Sequence, residues 1–140
     1  MSLKRTKLDK VFSDLIRERN DWTCEVCGKE FPERKGAGLH CSHYFGRRGA
    51  STRHHGSNCF AHCFGCHNKL GESPHEFKAW VEKTLGETCY DDLVRRARGV
   101  VKRTPGEREE MYVHFKAQLE YMKKRRREGH VGYIDFVEWD

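Results

Sequence analysis

Two C-x-x-C pairs, Cys24-Glu25-Val26-Cys27 and Cys63-Phe64-Gly65-Cys66, are the most chemically specific spacings in this chain of 140 residues. Two intervening residues let one tight turn present both thiolates to a tetrahedral ion at about 2.3 Å. Gly28 follows the first pair, where such a turn wants a residue that tolerates positive φ. One pair alone is equally a redox motif. Two pairs, separated by 35 residues, predict a structural zinc site on Cys24, Cys27, Cys63 and Cys66. The total of seven cysteines is odd, which argues against a framework of disulfides only. Cys41, Cys59 and Cys89 remain and read as small buried hydrophobes, with Cys59-x3-Cys63 as a rival ligand spacing.

Three polar residues punctuate the segment around the second pair: His43, Asn58 and His67, at intervals of 15 and 9. Singly they read as a surface histidine, a turn asparagine and a spare zinc ligand. Together they invite a second reading, because an imidazole with a pKa near 6.5 can accept a proton at neutral pH. Charge points to the substrate class. No acid occurs between Glu33 and Glu72, a stretch that holds six lysines and arginines and six of the nine histidines. The whole chain carries +6; residues 1–127, with 27 basic and 17 acidic side chains, carry +10. Such a balance suits a polyanion, most often nucleic acid, over a basic domain without such a partner. Arg47, Arg48 and Arg53 lie in the acid-free stretch and can clamp neighbouring phosphates bidentately.

The order His43, Asn58, His67 between and after two cysteine pairs resembles the HNH endonucleases over roughly residues 22–70, within their treble-clef group. A wider likeness, over most of the chain, is to the NinG-type recombination endonucleases of phages. It is carried by Phe12-Ser-Asp-Leu-Ile-Arg17, Ser42-His-Tyr-Phe-Gly-Arg-Arg48, Thr52-Arg53, Cys66-His67 and a following Leu-Gly helix. The resemblance implies a zinc-stapled ββα-metal core and a DNA endonuclease encoded by a phage or prophage and acting in a bacterial cytoplasm. It also implies His43 as general base, Asn58 as loop brace and His67 as ligand to a catalytic divalent ion such as Mg²⁺, Mn²⁺ or Ni²⁺. The pattern departs in one respect. Many HNH enzymes place Asp or His before the base, whereas Ser42 stands here and Gly71 follows where another His would fall. Ser42, or His40 on the same strand face, is then the candidate second contact. Two other readings stand beside the enzyme: a treble clef that grips DNA without cutting it, and a zinc-stapled protein-interaction module.

The elements that must position these residues are legible as patterns. Leu8, Val11, Phe12, Leu15 and Ile16 predict an amphipathic helix over 8–19. A turn from Pro32 to Gly38 leads to a strand ending near His43, then a basic loop from Gly46 to Gly56. A second strand over 58–62 and a helix from about Cys63 complete a β-loop-β-α order. Ser73-Pro74-His75-Glu76 predicts a helix start with a capping box, Gly86 its end, and Thr88 the cap of another helix. Thr104-Pro105-Gly106-Glu107 opens a last helix to Arg127, whose Lys123–Arg127 end is a solvated face or a phosphate contact. The expected organisation is one α+β domain over 1–140: an N-terminal helix (1–21), the core (22–71), a helical region (72–129) and an acidic tail (130–140). With 36% hydrophobic and 34% charged residues its core is small, which a metal staple would offset. No apolar run approaches the roughly 20 residues of a membrane span, and no signal-peptide pattern opens the chain.

Overall fold

A computed structural model describes residues 3–35 and 38–139, so the expected turn from Pro32 to Gly38 lies partly outside the described residues. The architecture is α+β: six helices and one two-stranded antiparallel sheet among the described residues. Helix α1 (Lys7–Arg19) begins at a capping box in which Thr6 and Asp9 satisfy each other's backbone N–H groups. Its apolar stripe Leu8, Val11, Phe12, Leu15 and Ile16 is buried as the periodicity predicts.

Strand β1 (Leu39–His43) pairs with β2 (Cys59–Cys63) in the register Leu39 to Cys63 through His43 to Cys59. Alternation then sends Leu39, Cys59, Ala61 and Cys63 into the core shared with α1. The short helix α2 (Ala50–Arg53) and a 3₁₀ turn (Gly56–Asn58) interrupt the expected basic loop between the strands. Helix α3 (Phe64–Gly71) follows β2 directly, so one short hairpin-helix unit carries the second cysteine pair.

Helices α4 (Pro74–Leu85) and α5 (Glu87–Arg98) pack together, and α6 (Pro105–Arg127) lies along α1. Phe12 meets Phe115 edge to face, with ring centroids 4.9 Å apart, at the centre of the α1–α6 contact. Two expected caps are corrected. Ser73 precedes α4 without a side-chain cap, and α5 starts before Thr88, at the positive-φ residue Gly86. The box at Thr104 and Glu107 is formed as expected. Cys89, expected to be buried, is exposed on α5.

The C-terminal segment folds back as more than a charged tail. Ile134 is buried, and Phe136 and Trp139 pack on the main core. The Glu138 carboxylate accepts the Gly56 N–H at 2.9 and 3.1 Å. A side chain at Gly56 would meet Glu138 at 2.6 Å and Phe136 at 2.9 Å, so anything larger than glycine would push the C-terminal segment's side chains aside. No helix among the described residues is long and apolar enough to cross a membrane.

Candidate metal centre and adjoining cleft

The four predicted cysteines converge. Cys24, Cys27, Cys63 and Cys66 present sulfurs that all lie within 4.8 Å of one another, a cluster that can hold a structural zinc. The first pair sits on a knuckle closed by the Thr23–Glu30 bridge, with Gly28 at φ 77° turning the chain after Cys27. Cys63 occupies the N-cap of α3 and Cys66 its first turn. The Cys27 and Cys63 sulfurs are 3.7 Å apart, close to the ~3.8 Å edge of a tetrahedron with 2.3 Å Zn–S bonds. Glu25 ties the knuckle to β2: its carboxylate accepts the Ala61 N–H at 2.7 Å while its own N–H reaches the Ala61 carbonyl at 2.8 Å. Neither Cys59 nor His67 belongs to this cluster.

Beside it, β1 and α1 enclose a cleft of about 390 Å³. On the sheet side it is lined by His40, Cys41 and His43 of β1, and His67 reaches it from α3. Arg5, Arg17 and Arg47 supply positive charge from the remaining walls.

His43 lies at the end of β1 with Nε2 3.0 Å from the Arg53 carbonyl. A carbonyl only accepts, so Nε2 carries the proton and Nδ1 is left with the lone pair. Burial pushes the imidazole down to about 4, a shift that the Arg53 bond only partly offsets. His43 is therefore neutral at physiological pH and fit to accept a proton at Nδ1.

Asn58 has no exposed surface and stitches the loop together. Its carboxamide oxygen accepts the Phe45 N–H at 2.8 Å, and its NH₂ donates to the Phe45 and Thr52 carbonyls, each at 3.0 Å. Asn58→Ala would strand the Phe45 N–H and carbonyl and remove one of the donors to the Thr52 carbonyl. The expected cost is on the order of 2–3 kcal/mol, read as a lower urea midpoint at unchanged metal content.

Ser42 proves to be a brace. Its hydroxyl, 1% exposed, lies 2.6 Å from His67 Nδ1 and 2.9 Å from His62 Nδ1. With both partners satisfied it has little left to offer an ion, but it fixes the His67 ring and directs Nε2 outward. His40 stacks on His67, with ring centroids 4.8 Å apart and an interplanar angle of 4°. Its Nε2 is buried and has no hydrogen-bond partner, so of the two candidate second contacts His40 is the one with an uncommitted nitrogen. His62, also pushed down to about 4 by burial, is sealed beneath Phe60, Phe77 and Trp80.

The three arginines separate in the fold. Arg53 is engaged by Asp9 of α1 through Nε at 2.9 Å and Nη2 at 2.6 Å, so it anchors the loop. Arg47 stands 3.5 Å from the same carboxylate, and His54 binds it at 2.8 Å. Burial alone would raise the Asp9 carboxyl, but hydrogen bonds from His54, Arg53 and Thr6 outweigh it and hold the group well below the usual range. Arg47 and Arg48 line a second recess, of about 580 Å³, with Phe45 and Gly46.

Asp9 is the residue that sequence reasoning missed here. The acid-free stretch has no carboxylate of its own and takes one from a helix 44 residues away, which local spacing cannot announce. The His62–Ser42–His67 chain was hidden for a similar reason, since it depends on strand register. The chain matches no protein-family model, no curated protein and no solved structure.

Proposed function

We propose that this chain is a metal-dependent DNA endonuclease of the HNH type, built on a treble-clef ββα core and hydrolysing phosphodiester bonds in phage recombination or DNA processing. The observation that carries this reading is the meeting, in one basic cleft, of a neutral imidazole with a free acceptor nitrogen and a braced imidazole pair. Phosphodiester hydrolysis needs an activated water in line with the leaving oxygen, and positive charge on the phosphate as it becomes five-coordinate.

His43 Nδ1 takes the proton from the attacking water while the Arg53 carbonyl holds the ring in the required tautomer. Asn58 keeps the loop, and with it the Arg53 carbonyl, in place through Thr52 and Phe45. His67 would hold the divalent ion, with His40, whose Nε2 has no hydrogen-bond partner, as the second contact. When bound there, such an ion supplies positive charge to the scissile phosphate and the departing 3′ oxygen. Departure of that oxygen leaves 5′-phosphate and 3′-hydroxyl ends.

The grip on DNA falls to Arg47 and Arg48, with Arg53 reassigned to holding the loop. Arg5 and Arg17 also line a wider cavity of about 690 Å³ that includes Lys35, Lys123 and Arg127, so positive charge continues away from the cleft. Arg47→Ala with Arg48→Ala should weaken binding to every sequence and shrink the salt slope by about one per residue. The pair Lys123→Ala and Arg127→Ala should weaken long duplexes more than short ones, measured by fluorescence anisotropy across a salt series. Unchanged affinity and slope in both double variants would remove DNA as the partner.

A plasmid-nicking assay with Mg²⁺, Mn²⁺ or Ni²⁺ tests the enzyme directly. The commitment of Ser42 to His62 and His67 favours one rival, a treble clef that grips DNA without cutting it. Salt-dependent binding with no nicking under any of the three ions would establish that rival.

A further inference from the structure

We infer that Cys41, His43 and Cys59 form a second site, separate from the four-cysteine cluster, for a soft divalent ion, and that zinc seated there silences the chain. The ligand atoms of these three residues all lie within 4.8 Å of one another. Strand register produces this. His43 pairs directly with Cys59, and Cys41, two residues before His43, projects from the same face of β1. The face is the one turned towards α1, where Cys59 is fully buried and Cys41 packs at the edge of the core.

The donor set decides which ion it takes. Two thiolates and one imidazole select zinc-like ions over Mg²⁺, which wants oxygen. Two thiolates also cancel the charge of a divalent ion, so the occupied site is neutral and its burial costs little. Binding releases the two thiol protons to solvent. Cys41 and His43 line the cleft, which gives an ion a way in. Three protein ligands leave a fourth position for water.

Occupancy removes the proton acceptor whichever ring nitrogen is used. A neutral imidazole has one lone pair. If Nδ1 takes the ion, the acceptor is covered; if Nε2 takes it, the proton moves to Nδ1 and the bond to Arg53 is lost. This silencing rests on His43 being the base as proposed above, whereas the binding does not.

The test uses the full chain carrying one zinc per molecule, titrated with Co²⁺, whose thiolate charge-transfer and tetrahedral d–d bands report the site. The wild type should take up a second equivalent with those bands. Cys41→Ala and Cys59→Ser should keep the first equivalent and the native circular dichroism but lose the second. Cys41→Ala should also still nick plasmid, at zinc concentrations that inhibit the wild type tenfold or more. A wild type that binds one equivalent only, or a second equivalent untouched in both variants, would overturn the site. Co²⁺ bands lost in the variants, with nicking equally zinc-sensitive in Cys41→Ala and wild type, would overturn the silencing. The same bands in a protein that never nicks would support the site and sink the nuclease reading.

Discussion

His43→Ala should fold, retain its structural zinc and bind DNA, yet cleave about 10²–10⁴-fold more slowly, the usual loss for a positioned proton acceptor. Its side chain contributes one hydrogen bond, to the Arg53 carbonyl, so the fold loses little by comparison. His67→Ala should lose cleavage as well, but recover in part as the divalent ion concentration rises. Losing a ligand weakens ion binding, and mass action can restore occupancy; losing the acceptor leaves nothing for the ion to restore. His67 is also tied to Ser42 at 2.6 Å, so Ser42→Ala should give a milder version of the same ion-dependent defect. Single-turnover rates across an ion series separate the two classes. Full activity in His43→Ala, with contaminating nuclease excluded, would sink the mechanism.

On the proposed mechanism the same residue should set the acid limb of the rate. Because burial brings His43 down to about 4, it should remain an acceptor well below neutrality. At saturating divalent ion, the rate should hold down to roughly pH 5 and fall as His43 protonates, and His43→Ala should lack that limb. Acid also weakens the fold over this range. Unfolded His43 and His62 take up protons near 6.5, whereas the folded forms resist until about 4, so their contribution is present above 6.5 and is lost as pH falls towards 4. Circular dichroism at each pH distinguishes slower chemistry from unfolding.

Loss of the zinc cluster should have the largest effect on stability. Binding at a four-cysteine site supplies on the order of 10 kcal/mol of folding free energy, against a net stability of about 5–15 kcal/mol for a whole domain. Cys24→Ser, or exhaustive chelation of the wild type, should therefore abolish the cooperative unfolding transition and expose the protein to proteolysis and aggregation. Cys24 is 2% exposed, and it holds the knuckle whose Glu25 clasps Ala61, so β2 and the start of α3 go with it. Cys89→Ser, on the exposed face of α5, should change nothing and serves as the control. Metal analysis finding no tightly held zinc in the purified protein would end this account.

The sequence by itself determined whatever depends on short-range spacing. Two residues between thiolates place the sulfurs of each pair on one turn, so the cysteine pairs were readable before any fold. The helical stripe from Leu8 to Ile16, the strand–loop–strand–helix order around His43 and the Thr104 capping box are set in the same way, by periods and offsets within a few residues. Tertiary structure decided what those groups meet. What Ser42 and His40 have left to offer depends on strand register and on the approach of α3, which spends the Ser42 hydroxyl on His62 and His67 and leaves His40 Nε2 without a hydrogen-bond partner. Arg53 reads as a phosphate clamp in sequence because the nearest acids are far along the chain. In the fold Asp9 claims it, since α1 crosses the loop and a buried carboxylate must be matched by donors. The acidic tail became a strap through long-range contact as well: Ile134, Phe136 and Trp139 join the main core, with Phe136 against Phe12 of α1 and Phe115 of α6, which no local pattern in the tail discloses. Ligand geometry travels with neighbours in sequence; burial, charge matching and the identity of a partner depend on long-range contact, and only the folded chain makes those contacts.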